Sequence, residues 1–229
     1  MDTLVLWDID LTLVDYTGLG RKWYSEALAN VVDKELAHLP EFPGRTERSL
    51  ARELLKAHGV RHDDEQVERV LTELEAIGLA TRPSLPSLGR VLDGAAEILG
   101  ALESRGGVVQ SLVTGNLPNL AVYKLAAFDL DRHVDLEIGG YGSLSDHRHD
   151  LVEAAMAQAS AKHGVTFTAS SVVVIGDTPM DVAAGRHHGT VTVGVATGRH
   201  SVDQLADAGA DAVLSDLTDT PAVLAALLR

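Results

Sequence analysis

Asp8 and Asp10 stand two residues apart in Asp8-Ile9-Asp10-Leu11-Thr12, directly after the apolar run Leu4 to Trp7. In extended chain, side chains two apart share a face. Two carboxylates so placed repel each other unless a cation lies beside them, and Mg²⁺ prefers carboxylate oxygens. Val173-Val174-Ile175-Gly176-Asp177-Thr178-Pro179-Met180-Asp181 repeats the arrangement, with one acid straight after a β-branched run and a second in the first turn of a helix. Between these two places lies Val113-Thr114-Gly115-Asn116. A hydroxyl and exposed backbone N–H groups ahead of a helix can hold phosphate oxygens there. Taken singly, each pattern has a plainer explanation: a solvated acidic turn, a Thr or Asn cap with a turn glycine, a helix-start acid favoured by the dipole. Three of them in one chain, each at the end of an apolar run, point to a metal-assisted phosphate site.

The elements that must position these residues follow from the apolar pattern. Leu4 to Trp7, Val108 to Val113, Val134 to Ile138, Val172 to Ile175 and Val191 to Val195 read as strands apolar on both sides, with Ala212 to Leu214 a weak last one. Such runs suit a parallel sheet covered on both faces. Helical stretches alternate with them over Gly94 to Ser104, Pro118 to Phe128, His149 to Lys162, Met180 to His187 and Leu217 to Leu228. The fold class expected is α/β, a doubly wound, Rossmann-like parallel sheet. One section breaks the alternation: Arg21 to Ala37, Glu47 to His58 and Asp64 to Thr81 all carry helical spacing. It predicts an all-helical domain over residues 17–88, inserted after the first strand of a core made of 1–16 and 89–229. Gly18 and Gly20 on one side, and Pro83 and Pro86 on the other, suit hinge linkers.

Composition narrows the field. The 229 residues carry 33 acidic against 19 basic side chains, for a net charge of −14, and only five are lysines. That balance argues against nucleic acid as a partner. No cysteine is present, which excludes thiol catalysis, disulfides and cysteine-ligated zinc. No apolar run has the roughly 18–20 residues that cross a bilayer, and the acid-bearing start does not read as a signal peptide. A cytoplasmic protein with no membrane partner is expected. No G-x-G-x-x-G follows the first strand, so a dinucleotide domain is disfavoured.

Asp8-Ile9-Asp10-Leu11-Thr12, Thr114-Gly115-Asn116 and Gly176-Asp177-Thr178-Pro179-Met180-Asp181 resemble the first, second and fourth motifs of the haloacid dehalogenase superfamily. The helical insertion resembles the cap of its phosphoglycolate phosphatase and β-phosphoglucomutase branch. The resemblance implies Asp8 as nucleophile and Asp10 as general acid and base. Asp8, the backbone carbonyl of Asp10 and Asp177 would hold Mg²⁺, with Asp181 behind them, and Thr114, Gly115 and Asn116 would bind phosphate. An acid at the position of Asp10 separates phosphoryl-transfer members from dehalogenating ones.

The family's third motif, usually a lysine, is missing from Gly142-Ser143-Leu144-Ser145-Asp146-His147-Arg148-His149-Asp150. Arg148 is the expected phosphate-binding replacement; Lys124, mid-helix and expected to be remote from the strand ends, is the alternative. His147 and His149 read as a polar loop. In the insertion, Pro43-Gly44-Arg45-Thr46-Glu47-Arg48 offers Arg45 and Arg48 as contacts to a non-reacting, anionic or hydroxyl-rich part of a substrate, or else a solvated helix start. Trp23 and Tyr24 read as packing within the insertion. The whole implies a Mg²⁺-dependent phosphatase acting on a small phosphorylated metabolite through an aspartyl-phosphate. A phosphomutase of the β-phosphoglucomutase kind is the alternative, and a catalytically silent binding protein a more distant one.

Overall fold

The computed structural model describes residues 2–228. The first strand, β1 (Thr3–Trp7), sits at the centre of a six-stranded, all-parallel sheet. A two-residue strand β2 (Val14–Asp15) follows, then helices α1 (Leu19–Val32), α2 (Glu47–Ala57), α3 (Asp64–Thr81) and α4 (Leu85–Leu88), and the short β3 (Arg90–Val91). Helix α5 (Ala95–Glu103) leads to β4 (Val108–Thr114), α6 (Pro118–Ala126) and β5 (Gly140–Tyr141). The chain then returns through α7 (Arg148–His163), β6 (Val172–Gly176), α8 (Pro179–His187), β7 (Val191–Val195), α9 (Val202–Asp207), β8 (Ala212–Leu214) and α10 (Thr220–Leu227).

Strand order is β5-β4-β1-β6-β7-β8. The chain builds outward from β1 on one side, then crosses back and builds outward on the other. The tips of β4, β1 and β6 therefore meet at the switch in direction, where parallel sheets form their ligand crevice. Alternation along β1 sends Leu4 and Leu6 to the face packed by α7 and Val5 and Trp7 to the face packed by α5. The buried Trp7 indole donates to Gln110 Oε1 at 3.2 Å. Gln110 Nε2 in turn donates to the carbonyls of Leu99 and His133, so this polar pair is satisfied inside the core.

Residues 19–88 form no strand. Their apolar stripes, Leu50, Leu54 and Leu55 on α2 and Val67, Val70, Leu71 and Leu74 on α3, pack together and join the hydrophobic cluster beneath the sheet. Where this helical segment leaves and re-enters, β2 and β3 pair antiparallel, with Val14 opposite Val91 and Asp15 opposite Arg90. The expected glycine and proline hinges are thus a paired neck: Gly18 caps α1 and Gly20 lies inside it, while Pro86 sits in the first turn of α4.

Two local expectations are corrected, and one helix is added. Val134 to Ile138 is not a strand but a connection containing a 3₁₀ turn at Leu136–Ile138. Asp135 diverts it by accepting the N–H of Glu137 and by pairing with Lys162, and the strand that joins the sheet is β5. Helix α1 stops at Val32 rather than Ala37 because Asp33 turns left-handed, with φ 52°. Helix α9, closed by a Ser201–Gln204 capping box, has no counterpart in the apolar periodicity because it is only 6 residues long.

Candidate active site

The turn after β1 is unusually tight. The carbonyl of Ile9 accepts from the N–H groups of Thr12, Leu13 and Val14, and Leu11 takes a left-handed φ of 60°. That conformation is rare outside glycine. It is held on both sides: the Leu11 N–H donates to Val14 O at 2.7 Å, and its carbonyl accepts from Thr197 Oγ1 at 2.6 Å. The turn keeps Asp8 in register with the sheet, its N–H donating to Ile175 O, and lifts Asp10 toward α6.

Asp8, Asp177 and Asp181 converge. One oxygen from each lies within 4.8 Å of the others, and all three residues are buried. Arg148, at the first position of α7 and itself buried, sends Nη2 to Asp8 Oδ1 at 2.7 Å, to Asp181 Oδ1 at 2.5 Å and to the carbonyl of Val113 at 3.1 Å. The contact with Asp181 is ionic rather than a well-aligned hydrogen bond, leaving that oxygen without a hydrogen-bond partner. The other oxygen of Asp181 closes a capping box on Thr178.

One guanidinium among three sunken carboxylates leaves an excess of negative charge. Burial raises Asp8 to about 7, against the pull of Arg148 and with a further push from Asp181 and Asp10. Burial, Asp181 and Asp8 together raise Asp177 to about 9. Burial works against the charge of Arg148, but Asp181 and Asp8 outweigh it and hold the guanidinium protonated. Three buried carboxylates sharing one guanidinium are the donor set a hard divalent cation takes. Asp8, Asp177 and Asp181 could hold one.

A second polar cluster stands beside the first. Asn116 donates Nδ2 to Asp10 Oδ2 and to Thr114 Oγ1, each at 2.8 Å. Lys124 donates Nζ to both oxygens of Asp10 and, at 2.6 Å, to Asn116 Oδ1. Lys124 was expected to be remote from the strand ends. From the last turn of α6 its four-carbon stem reaches back to Asp10, so the chain has both cations: Arg148 on Asp8, Lys124 on Asp10.

The helical segment closes over these clusters. Glu47 N–H donates to the carbonyl of Gly115 at 2.8 Å, and Arg48 N–H to that of Gly142 at 3.0 Å. No side chain fits at either glycine: a Cβ would stand 1.9 Å from Arg45 O at Gly115, and 1.7 Å from Gly115 O at Gly142. Asp8, Asp10, Thr114, Gly115, Asn116, Lys124 and Asp177 open onto one cavity of about 350 Å³, roofed by α1, α2 and α3.

The two cap arginines fare differently from their expectation. Arg48 is turned away: its guanidinium is committed to Asp64 and Glu68, with a further contact to Ser143 O, and it does not line the cavity. Arg45 borders the cavity, but its guanidinium pairs with Glu53 at 2.8 Å and bonds Ser49. Trp23 and Tyr24 are buried, as packing residues would be, yet they also wall the cavity. His147 stacks on His149, which stacks on His187 with ring centroids 4.1 Å apart, away from the cavity.

The residue that sequence reasoning passed over is Glu47. Tyr24 donates its hydroxyl to the carboxylate. Burial raises Glu47 to about 7 against the opposing effects of Tyr24 and Lys124. An acid at the first position of a helix reads as a dipole effect; the signal was its place beside the cap arginines.

Residues 149–220 match a family model described as HAD-hydrolase-like. No curated protein matches the chain in sequence. Among solved structures, a hydrolase from Pseudomonas syringae is 22% identical with a TM-score of 0.68, and the match covers 100% of each chain. A haloacid dehalogenase-like family hydrolase from Streptococcus pneumoniae is 16% identical (TM-score 0.64; 98% of this chain, 97% of that one). A structure described as a predicted phosphoglycolate phosphatase from Haemophilus somnus is 20% identical (TM-score 0.68; 97% of each). No helix among the described residues is long and apolar enough to cross a membrane. With its motifs on three neighbouring strand tips, the chain has the fold of the haloacid dehalogenase-like hydrolases over its whole length and matches their family model in sequence over residues 149–220.

Proposed function

We propose that this chain is a Mg²⁺-dependent phosphatase that hydrolyses a small phosphomonoester through a phosphorylated Asp8. The observation that carries the reading is the pairing of Asp8 with Arg148 beside Asp177 and Asp181 at the crevice of the sheet. In this reading residues 17–88 form a cap over a core of 1–16 and 89–229.

Asp8 Oδ1 is held by Arg148, which leaves the other oxygen to attack phosphorus. As the P–O(Asp8) bond forms, the ester P–O bond breaks and its electron pair stays on the leaving oxygen, which takes a proton from Asp10. A water then attacks the acyl phosphate and gives a proton to Asp10. The P–O(Asp8) bond breaks, restoring the carboxylate and releasing inorganic phosphate. Arg148, the Thr114 hydroxyl, and N–H groups at Gly115 and Asn116 would bind the phosphoryl oxygens. Mg²⁺ held by Asp8, Asp177 and the carbonyl of Asp10, with Asp181 behind it, would offset repulsion between nucleophile and phosphate. Docking of α2 on Gly115 and Gly142 keeps bulk water out.

The test is phosphate release from p-nitrophenyl phosphate with Mg²⁺ and with EDTA. Activity that needs Mg²⁺ supports the reading, and undiminished activity in EDTA removes the metal from it. Glucose 1-phosphate in parallel reveals a phosphomutase if it is isomerised rather than hydrolysed.

A further inference from the structure

The cavity has two unlike ends. Its floor is the polar crevice of Asp8, Asp10 and Asp177; its roof is apolar, built by Trp23, Tyr24, Leu39, Phe42, Leu50 and Leu74, with Glu47 set among them. Glu47 is therefore the acid that a leaving group meets on the side away from the phosphorus.

No cation touches it, and Lys124 acts on it only from a distance. Among the described residues Glu47 has no ion pair within 4.0 Å. Lys124 is committed to Asp10, Arg45 to Glu53 and Arg148 to Asp8 and Asp181, while Arg21 and Arg199 line the cavity as exposed residues. Among the described residues its one hydrogen-bonding side chain is Tyr24, whose hydroxyl brings no charge. A carboxylate sunk in an apolar wall without an ion-pair partner is costly, and holding its proton to about 7 is how the free protein relieves that cost.

The walls themselves accept a cation. The Lys124 ammonium lies 5.9 Å from the ring centroids of both Tyr16 and Trp23, within reach of the attraction between a cation and an aromatic face. Tyr24 and Phe42 add two further rings, centroids 5.4 Å apart. Aromatic faces with one unpaired carboxylate are the chemistry that recognises an ammonium ion.

We propose that Glu47 is a specificity-determining residue, and that the preferred leaving group carries an amine a few bonds from the phosphate oxygen, bound as an ammonium between Glu47 and the aromatic roof. An acidic group seated at the same place, the expectation attached to Arg45 and Arg48, is disfavoured, because it would meet Glu47 there with those two arginines already paired. The proposal deepens the phosphatase reading but does not need turnover for its test.

Calorimetric titration of the Mg²⁺-loaded protein with 3-aminopropylphosphonate, propylphosphonate and 3-phosphonopropionate ranks amine, alkyl and carboxylate on one frame that no phosphatase cleaves at a P–O ester. The amine should bind at least about tenfold tighter than the alkyl compound, and the carboxylate weakest. In Glu47→Gln, whose amide still accepts from Tyr24, the amine's advantage should shrink to about threefold or less. A merely structural Glu47 would lower thermal stability without moving this ratio. Equal binding of amine and alkyl, tightest binding of the carboxylate, an advantage that survives Glu47→Gln, or no binding of any of the three overturns the proposal. Failure to hydrolyse p-nitrophenyl phosphate counts against the phosphatase reading alone.

Discussion

Lys124 holds Asp10 by both carboxylate oxygens, at 2.8 and 2.6 Å, while Arg148 holds Asp8 by one. The two acids of the strand-end motif are thereby drawn apart, one toward α6 and one toward α7. Lys124→Ala should leave Asp10 free to swing and lower kcat by about 10- to 100-fold, with a smaller change in KM. Lys124 is itself buried and also bonds Asn116, so the variant should melt at a lower temperature, and the rates are compared below it. A KM effect larger than the kcat effect would show that Lys124 binds substrate instead of orienting Asp10.

Asp8→Asn keeps the shape of the side chain and an acceptor for Arg148 but removes the attacking charge. Turnover should fall by about 10³-fold or more. The charge it deletes is one that burial opposes, so the metal-free variant should melt at the wild-type temperature or above it. More than a tenth of wild-type activity in pure variant would dismiss Asp8 as the nucleophile.

Metal-free stability should fall as pH rises. Asp8 and Asp177 keep their protons to about 7 and about 9 in the folded protein, whereas an unfolded chain releases them near pH 4. Between those limits the folded state binds more protons than the unfolded one, so its stability is greatest at the acid end of the window and is lost toward pH 9. The lowered carboxylates Asp15, Asp63, Asp64, Asp150 and Asp216 act in the opposite sense, but only below about pH 4. In EDTA the melting temperature should therefore be higher at about pH 5.5 than at about pH 8.5. Asp177→Asn should flatten that slope, which assigns it to this carboxylate. A slope that Asp177→Asn leaves unchanged contradicts the assignment.

Gly142→Ala tests the seal. The added methyl would press on Gly115 O and lie 2.9 Å from Glu47 N, the two atoms that dock the helical segment on the strand tips. Overpacking of this kind costs about 1–3 kcal/mol. Opening α2 away from the crevice relieves it, so the variant should fold, cleave p-nitrophenyl phosphate more slowly and be cut faster by protease between residues 33 and 46. Wild-type rates with wild-type protease resistance would show that the contact is incidental.

Much of the frame is legible in the sequence because buried parallel strands have a distinctive composition, and because acids and glycines at strand ends are hard to explain by packing. Long-range placement is harder. Val134 and Ile138 look like strand residues because burial, not strand geometry, selects apolar side chains. Lys124 looks distant because spacing along α6 says nothing of where a long side chain reaches. Arg48 looks like a substrate contact until the acids of α3, sixteen and twenty residues on, are folded against it. Glu47 is hidden for the converse reason: its charge matters only once Lys124 and Arg45 have been claimed by other partners.

The antiparallel neck of Val14–Asp15 with Arg90–Val91 means that the roofing helices are spliced into the chain at a single point. Both ends of the excursion leave from adjacent backbone, so residues 16 to 89 are one contiguous stretch that departs and returns at one place. A lineage could then change what the roof accepts by rewriting one contiguous stretch of gene, while Asp8, Asp10, Asp177 and Asp181 stay in sequence outside it.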